Sequence, residues 1–352
     1  SNFNMDISNF DFNLPKSLIA SRPLKPRSSA KLLFYEKSSI KDLIFFNLPD
    51  ILSKNDLLVF NNTKVLPALL YGHVIQSKND NLINKKFEFL LVNQFNKKDW
   101  FCLCKPLKKI ESGSKIFFSN RLSAQILKKD EKGIILRFEF NGNFYENLNK
   151  TGFMPIPPYI RKIRNIDLSD KKDYQPIFSQ KWGSIASPTA SLHFDEELIN
   201  KLKEKDINFC FVTLHVGIGT FNSIRSKNIL EHEMHSEYGE INKQSANIIN
   251  NTLQAGGRVI PVGTTCLRIL ESMIKKEKKV IPFSGYTNIF ITPGYKFKVA
   301  SGLITNFHLP KSSLFILVSS FVGLENAKKI YSHAIKKRYR FFSYGDGSIL
   351  LK

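Results

Sequence analysis

From Gly183 to the end of the chain, short apolar runs of strand type alternate with segments of helical period. No other feature constrains the fold as strongly. A strand, a helix and a second strand in series pack as a largely parallel sheet or open barrel with helices on its faces. Asp195 to Lys205 predicts a helix, with Leu198 and Leu202 one turn apart and Asp195 where an N-cap belongs. Phe209 to Val216 predicts a strand, Gln244 to Ala255 a helix stopped by Gly256-Gly257, and Arg258 to Val262 the next strand. Cys266 to Lys276 is helical by its stripe of Leu267, Leu270 and Ile274. Further strands are expected at Asn288 to Thr292 and Leu303 to Phe307, and Ser312 or Ser313 opens an apolar helix. Ligands of such sheets bind at the carboxyl ends of the strands.

A different pattern fills residues 67–150. Strand-like runs recur at Ala68 to Val74, Lys86 to Val92, Asp99 to Lys105, Lys115 to Phe118, Leu122 to Leu127 and Ile134 to Phe140. Turn signals separate them, including Asn79-Asp80-Asn81, Ser112-Gly113-Ser114 and Lys132-Gly133. This spacing predicts a small β-barrel or sandwich inserted into a first domain. That first domain takes residues 1–66 and 151–352. Its early part holds Phe10, Phe12 and Leu14 in alternation, as in a short strand or extended arm, and the buried-type strand Leu57 to Phe60 ended by Asn61-Asn62-Thr63. The fold class is therefore α/β: a discontinuous domain with an open, barrel-like, mostly parallel sheet, carrying an inserted β-barrel. At 352 residues, two domains are the natural division.

The charge balance narrows the partners. Lys and Arg number 52 against 30 Asp and Glu, a formal net charge of +22. Solubility does not require so large an excess, whereas a polyanion rewards it through counterion release. A lysine-rich, AT-biased genome is the competing explanation. Cys102, Cys104, Cys210 and Cys266 form no C-x-x-C pair, as expected of free thiols in a reducing cytoplasm. The longest apolar run, Leu314 to Leu324, falls far short of the roughly 20 residues that span a bilayer.

Chemistry-bearing residues concentrate between Gly183 and Tyr238, which hold four of the seven histidines. His193, His215, His232, His235 and His308 invite a metal or an acid–base reading. The histidines lack an H-E-x-x-H arrangement and a cysteine pair, so acid–base use is favoured over a metal. Gly217-Ile218-Gly219-Thr220 follows a strand, and its glycines let backbone N–H groups approach a ligand, or simply turn the chain. Gly263-Thr264-Thr265 and Pro310-Lys311-Ser312-Ser313 stand at helix starts, where a phosphate or carboxylate is favoured and where hydroxyls also serve as caps. Near the C-terminus, Lys336, Lys337, Arg338 and Arg340 interleave with Tyr331, Tyr339, Phe341, Phe342 and Tyr344. That mixture suits RNA phosphates and bases, or a solvated helix face followed by core aromatics.

Taken in order, several motifs resemble the S-adenosylmethionine:tRNA ribosyltransferase-isomerase family of queuosine synthesis. They are Asp11-Phe12, Pro157-Pro158-Tyr159-Ile160, Pro188-Thr189-Ala190-Ser191-Leu192-His193-Phe194 and Leu214-His215-Val216-Gly217-Ile218-Gly219-Thr220-Phe221. Met234-His235-Ser236-Glu237, Gly263-Thr264-Thr265, Pro293-Gly294-Tyr295, Ile304 to Ser312 and Ser343-Tyr344-Gly345-Asp346 complete the set. The resemblance spans essentially the whole chain. Departures fall at Ser21, Asn62, Leu69, Ser187, Ser191 and Gly347, where the family usually has Gln, Asp, Arg, Ala, Gly and Ala. At Asn62 a carboxylate is lost.

The resemblance implies a discontinuous α/β domain with an inserted barrel, and a transferase; the cysteines point to the cytoplasm, and a monomer is expected although the sequence does not fix the oligomeric state. The resemblance also implies S-adenosylmethionine as ribosyl donor, without a metal. The implied acceptor is a tRNA carrying 7-aminomethyl-7-deazaguanine in its anticodon, and the implied products are epoxyqueuosine in tRNA, adenine and methionine. On this reading His215, His235, Glu237 and Asp346 are the candidate proton-transfer or orienting groups. Arg161, Thr189, His193, Phe194, Gly217, Gly219, Thr220, Phe221, Thr264, Thr265, His308, Lys311 and Ser312 are candidates for substrate binding. Phe194 and Phe221 are expected to stack on adenine, Lys311 and the two helix starts at Gly263-Thr264-Thr265 and Pro310-Lys311-Ser312-Ser313 to hold the methionine carboxylate, and Lys336, Lys337, Arg338 and Arg340 to hold RNA. A metal-dependent hydrolase and a non-catalytic RNA-binding module are the competing classes.

Overall fold

A computed structural model describes residues 5–75, 82–274 and 279–352. The Asn79-Asp80-Asn81 turn lies outside the described residues, as do Lys275 and Lys276; the helix expected from Cys266 up to Lys276 spans Thr264–Ser272 instead. The chain divides into two compact units: residues 1–64 with 175–181 and 187–352, and residues 65–174 with 182–186.

The first unit is built on the strand Leu57–Asn61, buried at all five positions as its unbroken apolar run requires. It lies parallel to Asn208–Leu214 on one side and Val259–Pro261 on the other. Glu237–Ile241 then pairs antiparallel to Asn208–Leu214, and Phe283–Thr287 antiparallel to Glu237–Ile241. A second sheet runs in the order Gly302–Asn306, Gly347–Leu351, Lys31–Glu36, Ser39–Ile44, with only its middle pair parallel. A parallel bridge between Val262 and Ile304 joins the two sheets. The sheets are thus mixed, where the alternation implied a mostly parallel one. Glu237–Ile241 alone runs the other way in this sheet, because no α-helix crosses back between Asn208–Leu214 and it; Phe283–Thr287, antiparallel to Glu237–Ile241, again has the direction of the parallel strands.

Residue parity in Asn208–Leu214 shows how the faces are filled. Cys210 and Val212 join Ala246, Ile249, Cys266, Ile269 and Leu270 from the helices Lys243–Gln254 and Thr264–Ser272. Phe209 and Phe211 turn the opposite way, toward Phe60 and Phe178. The helix Glu196–Glu204 begins at Asp195, whose carboxylate accepts from Leu198 N–H, and buries Leu198, Ile199 and Leu202. Ser313–Val322 is apolar around most of its circumference, which fits a buried helix. Its cap is Ser312, whose Oγ accepts from Phe315 N–H at 3.1 Å. Two sequence expectations need correcting. The strand placed at Asn288 to Thr292 lies one segment earlier, at Phe283–Thr287. Phe10 closes a 3-10 turn, Ile7–Phe10, and is fully buried.

Glu271 locks the approach to the second sheet. Its carboxylate is buried and accepts from Tyr295 O–H at 3.1 Å and from the N–H groups of Lys298, Val299 and Ala300 at 2.8, 2.9 and 3.3 Å. Glu271→Ala leaves four donors without their acceptor, so it is expected to cost about 3 kcal/mol or more, read as a lower denaturant midpoint.

The second unit is a closed barrel of six strands: Leu69–Ile75, Leu82–Gln94, Asp99–Lys105, Lys115–Ser119, Leu122–Lys129 and Ile134–Glu139. Residues 151–174 go with this unit, although the sequence suggested the α/β domain. Phe153 bridges to Leu69, and Gly152 packs so close to Pro67 that a Cβ there would fall 1.9 Å from the Pro67 carbonyl oxygen.

Candidate active site

The carboxyl ends of three strands, Asn208–Leu214, Val259–Pro261 and Gly302–Asn306, open into one cleft of the first unit. Its walls include Ser187 to Ala190, Val216, Thr220 and Phe221. Gly263 to Thr265, Thr305, Asn306, His308, Leu314, Phe342 and Ser343 complete the lining. A neighbouring pocket shares Thr220 and Leu314 with it and adds Gly219, Asn222, His232, Met234, His235, Glu237, Arg268 and Ser313.

The polar ends of the strands are cross-tied, which fixes the cleft. Asn61 Nδ2 donates to Leu214 O at 2.9 Å and to Thr265 Oγ1 at 3.1 Å, while Asn61 Oδ1 accepts from Leu214 N–H at 3.0 Å. Asn62 Oδ1 accepts from Thr213 Oγ1 at 2.6 Å. The buried Asn62 amide is thus engaged in holding two strands together. Gly263 turns the chain from strand to helix at φ +100°, a conformation that favours glycine.

Asn306 organises the far wall. Its Nδ2 donates to the carbonyls of Phe342 and Ser343 at 3.0 and 3.1 Å, so its Oδ1 must accept from His193 Nε2–H, 2.7 Å away. His193 is buried, stacked on Phe45 at 4.1 Å, and burial pushes its pKa down to about 4. It is a positioning group rather than a lining one. Phe194 is fully buried and meets Phe60 edge-on at 5.0 Å, so it belongs to the core and does not stack on a ligand. His308 does line the cleft; its Nε2 lies 2.7 Å from Thr305 Oγ1, and burial pushes its pKa down to about 3.

In the neighbouring pocket, Glu237 is buried with both oxygens engaged. Oε1 lies 2.9 Å from Arg268 Nη1, and Oε2 accepts from Gly217 N–H at 2.7 Å. His235 is exposed and lies against Gly219 so closely that a Cβ there would fall 2.2 Å from its Cδ2. Burial lowers the pKa of His232, and the nearby His235 adds to the effect.

Other expected site residues lie elsewhere. His215 lines neither pocket; its Nδ1 is 2.8 Å from Thr63 Oγ1, and desolvation lowers its pKa, with Glu240 opposing and Lys181 assisting. Asp346 is buried and holds the turn before the last strand: its oxygens accept from Lys31 N–H at 2.8 Å and Arg340 N–H at 2.7 Å. Burial raises its pKa. Asp346 therefore fixes backbone and does not line the cleft. Lys311 is exposed, 3.7 Å from Asp11, and lines neither pocket. Ser312 is committed to its helix, donating from Oγ to Leu309 O at 2.6 Å. Arg161 belongs to the second unit, where it pairs with Glu88 and donates to Tyr71 Oη at 3.3 Å. Lys336, Lys337 and Arg338 are exposed at the end of the helix Leu324–Lys336, whereas Arg340 is partly buried and donates to Arg22 O at 2.8 Å. Tyr331, Tyr339, Phe341 and Tyr344 are buried, so these rings pack the core.

Arg268 went unnoticed in the sequence, whereas Asn306, Phe342 and Ser343 stood within marked segments without being singled out for the site. Arg268 carried one signal: a cation between Leu267 and Ile269 on a helix otherwise read as an apolar stripe. Among the described residues, no helix is long and apolar enough to cross a membrane, and no group of three or more His, Cys, Asp or Glu is placed to hold a metal ion.

Residues 7–350 match the family model described as Queuosine biosynthesis protein. A protein of Ruegeria pomeroyi named S-adenosylmethionine:tRNA ribosyltransferase-isomerase is 46% identical over 348 residues, 99% of each chain. One of the same name from Roseobacter denitrificans is 45% identical over 349 residues, again 99% of each. The crystal structure of S-adenosylmethionine tRNA ribosyltransferase from Thermotoga maritima is 32% identical, with a TM-score of 0.55, and the match covers 97% of this chain and 100% of that one. With its α/β unit, its inserted barrel and full-length identity of this order, the chain belongs to the S-adenosylmethionine:tRNA ribosyltransferase-isomerase family of queuosine biosynthesis enzymes.

Proposed function

We propose that the chain moves and isomerises the ribosyl group of S-adenosylmethionine onto 7-aminomethyl-7-deazaguanine at the wobble position of a tRNA, leaving epoxyqueuosine, adenine and methionine. It would act as a cytoplasmic monomer. The observation that carries this reading is the pair of pockets joined at Thr220 and Leu314. One is walled by hydroxyls, an amide and the rings of Phe221 and Phe342, which suits a nucleoside. The other is walled by charged and imidazole groups, which suits the part of the donor beyond the ribose.

The residues divide the work accordingly. Thr189, Thr264 and Thr265 supply hydroxyls along the nucleoside pocket, and Phe221 an aromatic wall. Gly217 and Gly219 shape the turn that carries Thr220 between the pockets. The sulfonium makes the neighbouring ribose carbon acidic, so the site needs a base. His235 is the candidate, as an accessible imidazole in the second pocket. Glu237 holds Gly217 and Arg268 in place and is not a free base. His215 is kept neutral by desolvation and orders Thr63 beside the strand ends. Exposed Lys336, Lys337 and Arg338 face solvent where RNA phosphates can neutralise them.

The test is incubation with S-adenosylmethionine labelled in its ribose and tRNA bearing the aminomethyl base. Label in the RNA with one adenine released per label supports the reading. Label retained in solution, or methyl transfer to RNA, contradicts it. His235→Ala is expected to slow adenine release by about 100-fold or more, the usual scale for a lost general base. A near-normal rate removes His235 from the mechanism.

A further inference from the structure

The second pocket holds two opposite charges side by side, and one of them is incompletely satisfied. Arg268, from the helix Thr264–Ser272, is 5% exposed and lines the pocket. Its Nη1 meets Glu237, but its Nε is buried without a hydrogen-bond partner. A buried guanidinium N–H without an acceptor is costly, and in a native fold it calls for an explanation. Opposite it stand Ser313 and Leu314, the first two residues of the helix Ser313–Val322. The start of that ten-residue helix, the positive end of its dipole, thus forms part of the pocket wall. A guanidinium and a helix start together select a carboxylate. Glu237 beside them supplies the negative partner for an ammonium group. Met234 and Leu314 add apolar wall for a thioether chain.

We propose that this pocket is a subsite for the zwitterionic α-amino-acid end of the donor, with Arg268 and the start of Ser313–Val322 reading its carboxylate and Glu237 its ammonium. The proposal rests on S-adenosylmethionine being the donor. It moves the carboxylate away from Lys311, which lies near Asp11 and outside both pockets.

Two measurements on the full chain test it. In the first, adenine release is followed against donor concentration for wild type, Arg268→Gln and Arg268→Lys, with S-adenosylmethionine and with its decarboxylated analogue. Arg268→Gln is expected to raise KM for S-adenosylmethionine roughly 10- to 100-fold, as the loss of a charge-assisted hydrogen bond implies. Lysine should restore part of the loss, and the decarboxylated donor should be nearly indifferent to the substitution. Equal losses with both donors would reduce Arg268 to a support for Glu237 and overturn the proposal.

In the second, binding of free methionine is measured by calorimetry, without RNA or turnover. Binding by wild type that is lost in Arg268→Gln supports the subsite, even where no adenine is released and the reaction reading fails. Absent binding by wild type, or equal binding by the variant, overturns it. Ser313→Asp, at the pocket wall, gives a second variant should Arg268→Gln not fold. Its added carboxylate is expected to weaken methionine binding by about tenfold, the scale of a like charge at a helix start, and unchanged binding counts against the subsite.

Discussion

Glu237→Ala is expected to give a protein that is both less stable and almost inactive. The carboxylate is 8% exposed and its partner Arg268 6%. Removing it leaves a buried guanidinium with no counter-charge, which costs about 3–5 kcal/mol, and strips the acceptor from Gly217 N–H. Gly217 begins the turn that carries Gly219 against His235 and Thr220 into both pockets. When that turn loses its anchor, the base and the donor lose their common alignment, and misplacement by about 1 Å costs on the order of 100-fold. Glu237→Gln retains an acceptor for Gly217 but not the charge. It should recover part of the stability and less of the rate. Urea denaturation of both variants, read beside adenine release, checks the two effects. Wild-type stability in Glu237→Ala would show that the ion pair is not what holds this wall.

The second large effect is acid sensitivity. His193 and His308 are buried, and both have pKa values pushed below the ordinary 6.5, to about 4 and about 3. Folding therefore favours their neutral forms. The stability this provides is complete above pH 6.5 and is lost as pH falls toward the folded values, because the unfolded chain takes up protons that the folded one refuses. Between pH 7.5 and pH 5 each histidine is expected to lose about 2 kcal/mol, about 4 together. The loss is focused on the cleft, since His193 donates to Asn306 and His308 sits beside Thr305. Denaturation midpoints taken across that range check it. His308→Gln should remove about half of the pH slope whatever its own stability, and an unchanged slope would contradict the assignment.

Much of the scaffold was legible because it rests on local rules. Asp195 caps the helix it was expected to cap, Ser312 proves to be the cap where Ser312 or Ser313 was expected to open the helix, and the six runs of the inserted domain form six barrel strands. Direction of pairing was less legible. Whether Glu237–Ile241 runs with or against its neighbour depends on how the chain crosses between them, which a residue pattern does not record.

The site was legible in its loops and not in its supports. Thr189 and Thr220 reach the cleft from segments the motifs had marked. His193 and Phe194 belong to the same marked segment but turn inward, because a short 3-10 helix faces the cleft with one side only. Asp346 looked like a candidate acid, yet a carboxylate between glycines is equally a clamp for backbone N–H groups, and only the tertiary fold shows which. Arg268 stayed hidden inside a helix read for its leucines.

On the proposed function, the two pockets meeting at Thr220 hold the donor. Thr220 is half-buried in the short 3-10 turn Ile218–Phe221, so Thr220→Trp adds an indole to the passage between the pockets at little cost to folding. Adenine release from S-adenosylmethionine and aminomethyl-deazaguanine tRNA is the measurement. Thr220→Trp is expected to release adenine at near-background rates with its thermal midpoint kept, and release at the wild-type rate would show that the donor does not lie across these pockets.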